Sequence, residues 1–267
     1  MERFKVKNIL LISIFTLSLV FAGFSPTGSK APEYRLKRVV IDAGHGGKDP
    51  GAVGAVSKEK DIALAVALKV GEYVKQNLPG VEVIYTRNSD VFVELRERAN
   101  IANRNKADLF ISIHCNAASN RAAYGTETFV MGTKNFEANF EIVKRENSVI
   151  LLEDNYEESY EGFDPTSPES YIMFNLTQKA FLSGSISLAS KIENDFSTRV
   201  SRTSRGVKQA PLYVLWTTSM PSVLVELGFI SNRNEEAFMN NKQNQVYLAS
   251  AIYRSIKAYK EEIEELQ

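Results

Sequence analysis

Apolar and polar positions fall into blocks of changing period along this chain. Val39-Val40-Ile41 is a short apolar run that predicts a strand over Arg38 to Asp42, and it opens straight into the glycine-rich stretch "GHGGKDPGA". Ile62, Leu64, Ala65, Leu68 and Val74 recur at helical spacing, which predicts a helix over Asp61 to Asn77 ended near Pro79-Gly80. Val81 to Tyr85 reads as the next strand, Val93 to Asn105 as a second helix, and Asp108 to His114, "DLFISIH", as a third strand. Strand and helix in strict alternation indicate an α/β architecture with parallel pairing. Right-handed crossovers then place functional side chains at the carboxyl ends of the strands, where His45 and His114 fall.

The second half is less regular. Gly125 to Met131 reads as a strand and Phe136 to Glu153 as a helix; the acidic stretch "DNYEESYEGFDPTSPES" follows, broken by Pro165 and Pro168. Tyr171 to Phe196 is helical in pattern, Val214 to Trp216 and Val223 to Glu226 read as short strands, and a final helix starts near Gln243. No internal repeat or low-complexity tract interrupts this order.

The first residues differ in kind. Arg3, Lys5 and Lys7 precede an apolar run from Ile9 to Phe24, which reads as a secretory signal over residues 1–24; an uncleaved N-terminal anchor is the alternative. Residues 25–36 read as a linker, and 37–267 as one domain. The expected location is therefore outside the cytoplasm, in the periplasm or cell envelope, with a membrane tether only if residues 9–24 are retained.

Composition narrows the chemistry. The 267 residues carry 32 basic and 32 acidic groups, and this balance argues against a nucleic-acid partner, which would call for a basic stripe. Loss of residues 1–24 removes three basic groups and Glu2, leaving a mature chain about two charges negative. Cys115 is the only cysteine, so there is neither a disulfide framework nor a Cys-rich zinc module.

The glycine-rich loop does not suit a phosphate. In the Walker pattern a glycine stands where this chain has Asp42, and Ser or Thr where it has Asp49; in the dinucleotide pattern Asp49 falls on the third glycine. No Gly-x-Ser-x-Gly elbow is present. A metal suits it better. Catalytic zinc commonly takes three protein ligands and a water, and His45 and His114 with one carboxylate would make such a set. Glu59 lies near the mouth of the same loop; Glu72, Glu94 and Glu97 compete with it on composition alone. If His114 faces the site, strand alternation turns Ser112 the same way and Cys115 away. In "PSVLVELGFISN" a carboxylate, Glu226, ends an apolar strand, an expensive place for a charge unless it is paired or used. It reads as a general base, or as an ion-pair partner of Arg87 or Arg98.

Four stretches together carry a resemblance: "VVIDAGHGGKDPGA", "KEKDIALAVALKV", "VIYTRNSDVFVELRERANIANRNKADLFISIHCNA" and "MPSVLVELGFISN". In this order the chain resembles the zinc-dependent N-acetylmuramoyl-L-alanine amidases of the amidase-3 type. The resemblance implies a three-layer α/β fold, with a mixed, mostly parallel twisted sheet of about six strands and helices on both faces. It makes His45, Glu59 and His114 ligands of Zn2+ and Glu226 the catalytic glutamate. It implies hydrolysis of the amide between N-acetylmuramic acid and L-alanine in peptidoglycan, in cell separation or wall remodelling. Arg87, Arg98, Asn100 and Asn116 also sit in family motifs, as structural or supporting groups, whereas Cys115 departs from the small residue usual there.

The interval from about 132 to 184 is longer than in short relatives. In cell-division amidases an insert at this place plugs the zinc cleft until an activator removes it. By that resemblance an acid among Glu153, Asp154, Glu157 and Glu158 is expected to reach the metal or block the cleft, and an activator protein to bind the insert; a solvated acidic loop or extra substrate-binding surface is the alternative. Two other functions compete with the amidase. One is a zinc peptidase or carboxypeptidase acting on wall peptides, and the other a catalytically idle wall-binding module.

Overall fold

The computed structural model describes residues 35–176 and 181–265; the signal or anchor expected over residues 1–24 lies outside them, as does all but the end of the linker expected over 25–36. That linker ends sooner than expected, because Leu36 is already buried in the core and its amide donates to Glu264 Oε1.

Six strands form one sheet in the order β2-β1-β3-β6-β4-β5. They are β1 (Arg38–Ala43), β2 (Glu82–Tyr85), β3 (Leu109–Asn116), β4 (Thr126–Met131), β5 (Ser204–Ala210) and β6 (Ser222–Phe229). All pairings are parallel except β4 with β6. The mixed, mostly parallel six-stranded α/β sheet expected from the resemblance is therefore present. Every residue of β3 and β6 is buried, as strands covered on both faces require.

One face is covered by α1 (Glu59–Asn77), α5 (Leu182–Arg199) and α8 (Lys242–Glu265). Ile62, Val66, Val70 and Val74 bring the apolar stripe of α1 onto Ile41, Ile111 and Ile113, each fully buried side chain contributing about 1.5–3 kcal/mol. The other face is covered by α2 (Leu95–Arg104), the insert helix α3 (Phe136–Asn147) and two short pieces, α4 (Tyr156–Ser159) and α6 (Tyr213–Trp216), over Val40, Phe110, Phe129 and Leu224. Between α5 and α8 lies α7 (Arg233–Asn240), capped by the Asn232 side chain, which accepts from Asn234 N and Glu235 N.

Two expectations are corrected, and one strand is new. Val214 to Trp216 is part of a helical turn, not a strand; so short an apolar run has no readable period, and Asn147 Oδ1 accepts the Tyr213 amide that starts the turn. The strand in this region is the largely polar "SRGVKQA" of β5, at the sheet edge. The helix expected over Phe136 to Glu153 leaves α-geometry after Asn147 and continues as a 3-10 turn over Ser148–Leu152.

After β1 the chain builds β2 on one side and β3 on the other. The carboxyl ends of β1 and β3 therefore form a switch-point crevice, the natural ligand position in an open α/β sheet.

Candidate metal centre

His45 follows β1 in the left-handed conformation, φ 60°, a strained place for a non-glycine residue. Two buried arginines hold the loop there. Arg87 donates to the carbonyls of Ala43, Gly44 and Lys60, and Arg98 to those of Ala43, His45 and Val93. Neither pairs with Glu226; Arg98 instead meets the Asp42 carboxylate at 2.9 Å. The glycines make room for rings. A Cβ on Gly44 would sit 2.4 Å from the His114 imidazole, and one on Gly51 2.6 Å from that of His45 and 2.7 Å from Glu59 Oε2.

His45 Nδ1 lies 2.7 Å from Asp49 Oδ2, which orients the ring and turns Nε2 toward Glu59 Oε1 at 3.1 Å. Glu59, in the first turn of α1, accepts from the amides of Ala52 and Cys115. Its Oε1 also lies 3.0 Å from His114 Nδ1. A fourth group completes the cluster. Glu146 Oε2, from α3, stands 2.9 Å from His114 Nδ1 and 3.5 Å from His45 Nε2. Ligand atoms of His45, Glu59, His114 and Glu146 all lie within 4.8 Å of one another, and all four residues are buried.

Two imidazoles and two carboxylates in one buried space suit a divalent ion. By protein geometry alone His45 Nε2 and Glu146 Oε2 have no hydrogen-bond partner. Burial opposes charge on the imidazoles, yet Glu146 and Glu59 outweigh it and push His114 up to about 9. Attraction to His45 overcomes burial and holds Glu59 down at about 2. A field that grips protons this strongly also favours a cation in their place. The set of two nitrogens and two oxygens is one that zinc accepts.

Glu226 stands next to His114 in the parallel register of β3 and β6. It is fully buried, neither carboxylate oxygen has a hydrogen-bond partner, and the nearest cation, Arg145 Nη2, is 3.7 Å away. Burial, reinforced by Glu146 and Glu59, raises its carboxyl well above the ordinary range. A cavity of about 10 Å³ lies beside His45, His114 and Glu146, room for a single water at most.

Residues 39–258 match the family model for N-acetylmuramoyl-L-alanine amidase. The chain belongs to this amidase family. The N-acetylmuramoyl-L-alanine amidase AmiA of Escherichia coli K12 is 33% identical over 235 residues, 86% of this chain and 78% of that protein. The catalytic domain of CwlV, an amidase from Bacillus (Paenibacillus) polymyxa, superposes with a TM-score of 0.57 at 33% identity, covering 84% of this chain and 97% of that one. The CwlD amidase of Clostridioides difficile, solved in complex with the GerS lipoprotein, gives 0.62 at 28% identity, covering 84% and 98%.

Of the acids expected from the sequence, Glu59 joins the histidines. Glu72, Glu94 and Glu97 do not, Glu97 pairing with Arg104 at the surface. The insert acid in this buried cluster is Glu146, a correction to the expectation of Glu153, Asp154, Glu157 or Glu158. Glu153 instead accepts from Leu95 N and Tyr160 Oη, and the other three lie outside the cluster. A signal for Glu146 was in the sequence. Ile142 and Glu146, like Val143 and Asn147, are four apart, so a carboxylate sits on the buried face of an amphipathic helix.

Proposed function

We propose that His45, Glu59 and His114 hold a zinc ion and that the chain uses it to hydrolyse the amide joining N-acetylmuramic acid to L-alanine. The observation that carries this reading is the convergence of those three side chains beside a buried, unpartnered carboxylate, Glu226. When bound, the ion supplies a Lewis acid for the carbonyl and lowers the pKa of water. Glu226 then takes a proton from the attacking water at its carboxylate and returns it to the leaving amine.

Glu146 completes the ligand set and covers the cluster, beside which only a cavity of about 10 Å³ is left. This supports a resting state in which α3 closes the cleft and must withdraw before wall is cut. The complex of CwlD with a lipoprotein makes a protein activator acting on the insert a reasonable expectation. A wall substrate places the enzyme outside the cytoplasm, in wall remodelling or cell separation. Among the described residues no helix is long and apolar enough to cross a membrane.

Metal analysis with digestion of purified muropeptides, with and without chelator, tests the reading. Stems beginning with free L-alanine, lost on chelation and regained with zinc, support it. Stems trimmed elsewhere while still on sugar favour a peptidase, and absence of any cleavage by a zinc-loaded protein with α3 released favours a binding module.

A further inference from the structure

The row of side chains across the sheet continues past Glu226. β4 runs antiparallel to β6, and Glu127 is the register partner of Glu226. Directly opposed residues leave the same face with Cβ atoms about 5 Å apart. His114, Glu226 and Glu127 therefore form one line over three neighbouring strands. Glu127 is buried; one of its oxygens accepts from Asn116, the other from Arg205 Nε at 3.0 Å and from Lys208 Nζ. Two cations on one carboxylate leave a net positive charge. Both cations keep solvent contact, Arg205 with its side chain 40% exposed and Lys208 28%. The Arg205 guanidinium lies over the Phe229 ring at 5.0 Å, and its Nη1 donates a long bond of 3.5 Å to Tyr124 O. Together with Asn116, Phe229 and Arg145 they line an open cavity of about 500 Å³, one wall of which is α3. The hydrolysis described above uses neither cation.

We infer that Arg205 and Lys208 form a subsite for a carboxylate on the leaving-peptide side of the scissile amide. Its ligand is the free α-carboxylate of the acidic residue that follows L-alanine in the stem. The inference rests on the amidase reading and adds a direction to it. The metal cluster holds the acyl side of the bond, and Glu226 hands its proton to the amine. The peptide therefore leaves toward β4. One extended residue advances about 3.3–3.6 Å and one strand spacing is about 4.8 Å, so the second stem residue arrives over Glu127 and its cations. A carboxylate there gains charge-assisted hydrogen bonds that an amide cannot make. Arg145 lines the same cavity but is paired with Glu146 and departs with α3. Arg205 and Lys208 stand on β5 and remain.

The test compares N-acetylmuramoyl-L-Ala-D-Glu with N-acetylmuramoyl-L-Ala-D-isoglutamine, identical but for carboxylate against amide. The full-length, zinc-loaded chain carries Glu146→Ala so that the cleft is open. The expected result is a preference for the acid of about 10–100-fold in kcat/KM. Arg205→Ala with Lys208→Ala should remove that preference through KM with kcat within about twofold, and Arg205→Lys should restore part of it. Titration of the free dipeptides L-Ala-D-Glu and L-Ala-D-isoglutamine by calorimetry gives the same comparison without turnover. Equal cleavage of both substrates, or a preference that survives the double substitution, overturns the subsite and leaves the amidase reading standing. Cleavage of neither substrate by a folded, zinc-loaded protein overturns both.

Discussion

His45, Glu59, His114 and Glu226 stand on strand ends and on the first turn of a buried helix, whereas Glu146 reaches the same point from an insert helix packed on the opposite face. The first group is over-determined. Arg87 and Arg98 between them make six hydrogen bonds to the carbonyls of Ala43, Gly44, His45, Lys60 and Val93, Asp49 orients His45, and two amides fix Glu59. The insert is held by bonds from separate side chains and by apolar packing. Asn147 donates to Pro211 O and Tyr171 Oη and accepts from Tyr213 N, Arg145 donates to Ala117 O, and Asn139 to Gln209 O. Each such bond is worth only about 0.5–1.5 kcal/mol net. The proposed catalytic frame and the proposed plug are thus assembled from different kinds of contact.

The largest effect should come from the frame. Glu226→Gln keeps the shape of a buried side chain but cannot take a proton; activity on purified wall should fall by about 10³-fold or more while zinc content stays at one per chain. Substantial residual activity in a metal-replete variant would remove Glu226 from the proposed chemistry. Asp42, beneath the same loop, tests the frame's stability. Burial alone would raise its carboxyl, but the Arg98 guanidinium and the hydroxyls of Ser112 and Thr86 outweigh this and hold it below the usual range. Its stabilisation is therefore complete above the unfolded value near 3.9 and fades as pH falls through the lower folded value. Asp42→Asn should cost about 3–5 kcal/mol at pH 7, and the gap should narrow below pH 4, measured by urea unfolding at both pH values.

The plug should answer in the opposite direction. Glu146→Ala removes the fourth ligand without touching the other three, so activity on wall should rise, by about 10-fold or more if the closed state dominates by about 1.4 kcal/mol. Asn147→Ala loosens α3 from the start of α6 and should give a smaller rise, together with about 1–3 kcal/mol of lost stability. A fall in activity in both variants would make Glu146 a working ligand and the insert part of the site. Deleting residues 135–180 would be a poorer test. Ile142, Val143, Ile150 and Tyr171 cover Phe110, Phe129 and Leu224, and their loss would expose one side of the core.

The first half of the fold was legible because its runs are long and periodic. Val39 to Ile41 and "DLFISIH" are mostly apolar runs, and the helix of α1 was readable although its buried stripe runs through Ile62, Val66, Val70 and Val74 rather than through Leu64, Ala65 and Leu68, which stay half-buried. The same regularity placed both histidines at strand ends, and the resemblance then chose Glu59 among four acids that composition could not separate. The edge strand β5 and the turn α6 were missed for opposite reasons, one half-exposed with no apolar period, the other apolar but too short to show one. Glu146 is hidden in the sequence because the densest acidic stretch follows it. That stretch is rich in carboxylates because it is exposed; the one that matters lies on the buried side of the helix before it.

The smallest expected effect concerns Cys115, the residue that departs from the family pattern. It lies one position after His114, and a thiol so near a metal centre invites a role as ligand or redox switch. The strand geometry denies it one. Alternation sends His114 to the face of Glu226 and Glu146 and sends the Cys115 side chain into the opposite core, among Ile113, Val225 and Leu227. What Cys115 gives the site is its backbone amide, which donates to Glu59 Oε1 at 2.8 Å and which any non-proline residue supplies. Burial also pushes the thiol well above its ordinary range, so little thiolate exists to attack an electrophile. Cys115→Ala should therefore leave zinc content unchanged and activity within about twofold, with about 1 kcal/mol of stability lost to the missing sulfur. The folded wild type should resist iodoacetamide that labels it readily in urea. A tenfold loss of activity in Cys115→Ala, or rapid labelling of the native protein, would show that the frame around His114 is looser than its hydrogen bonds indicate.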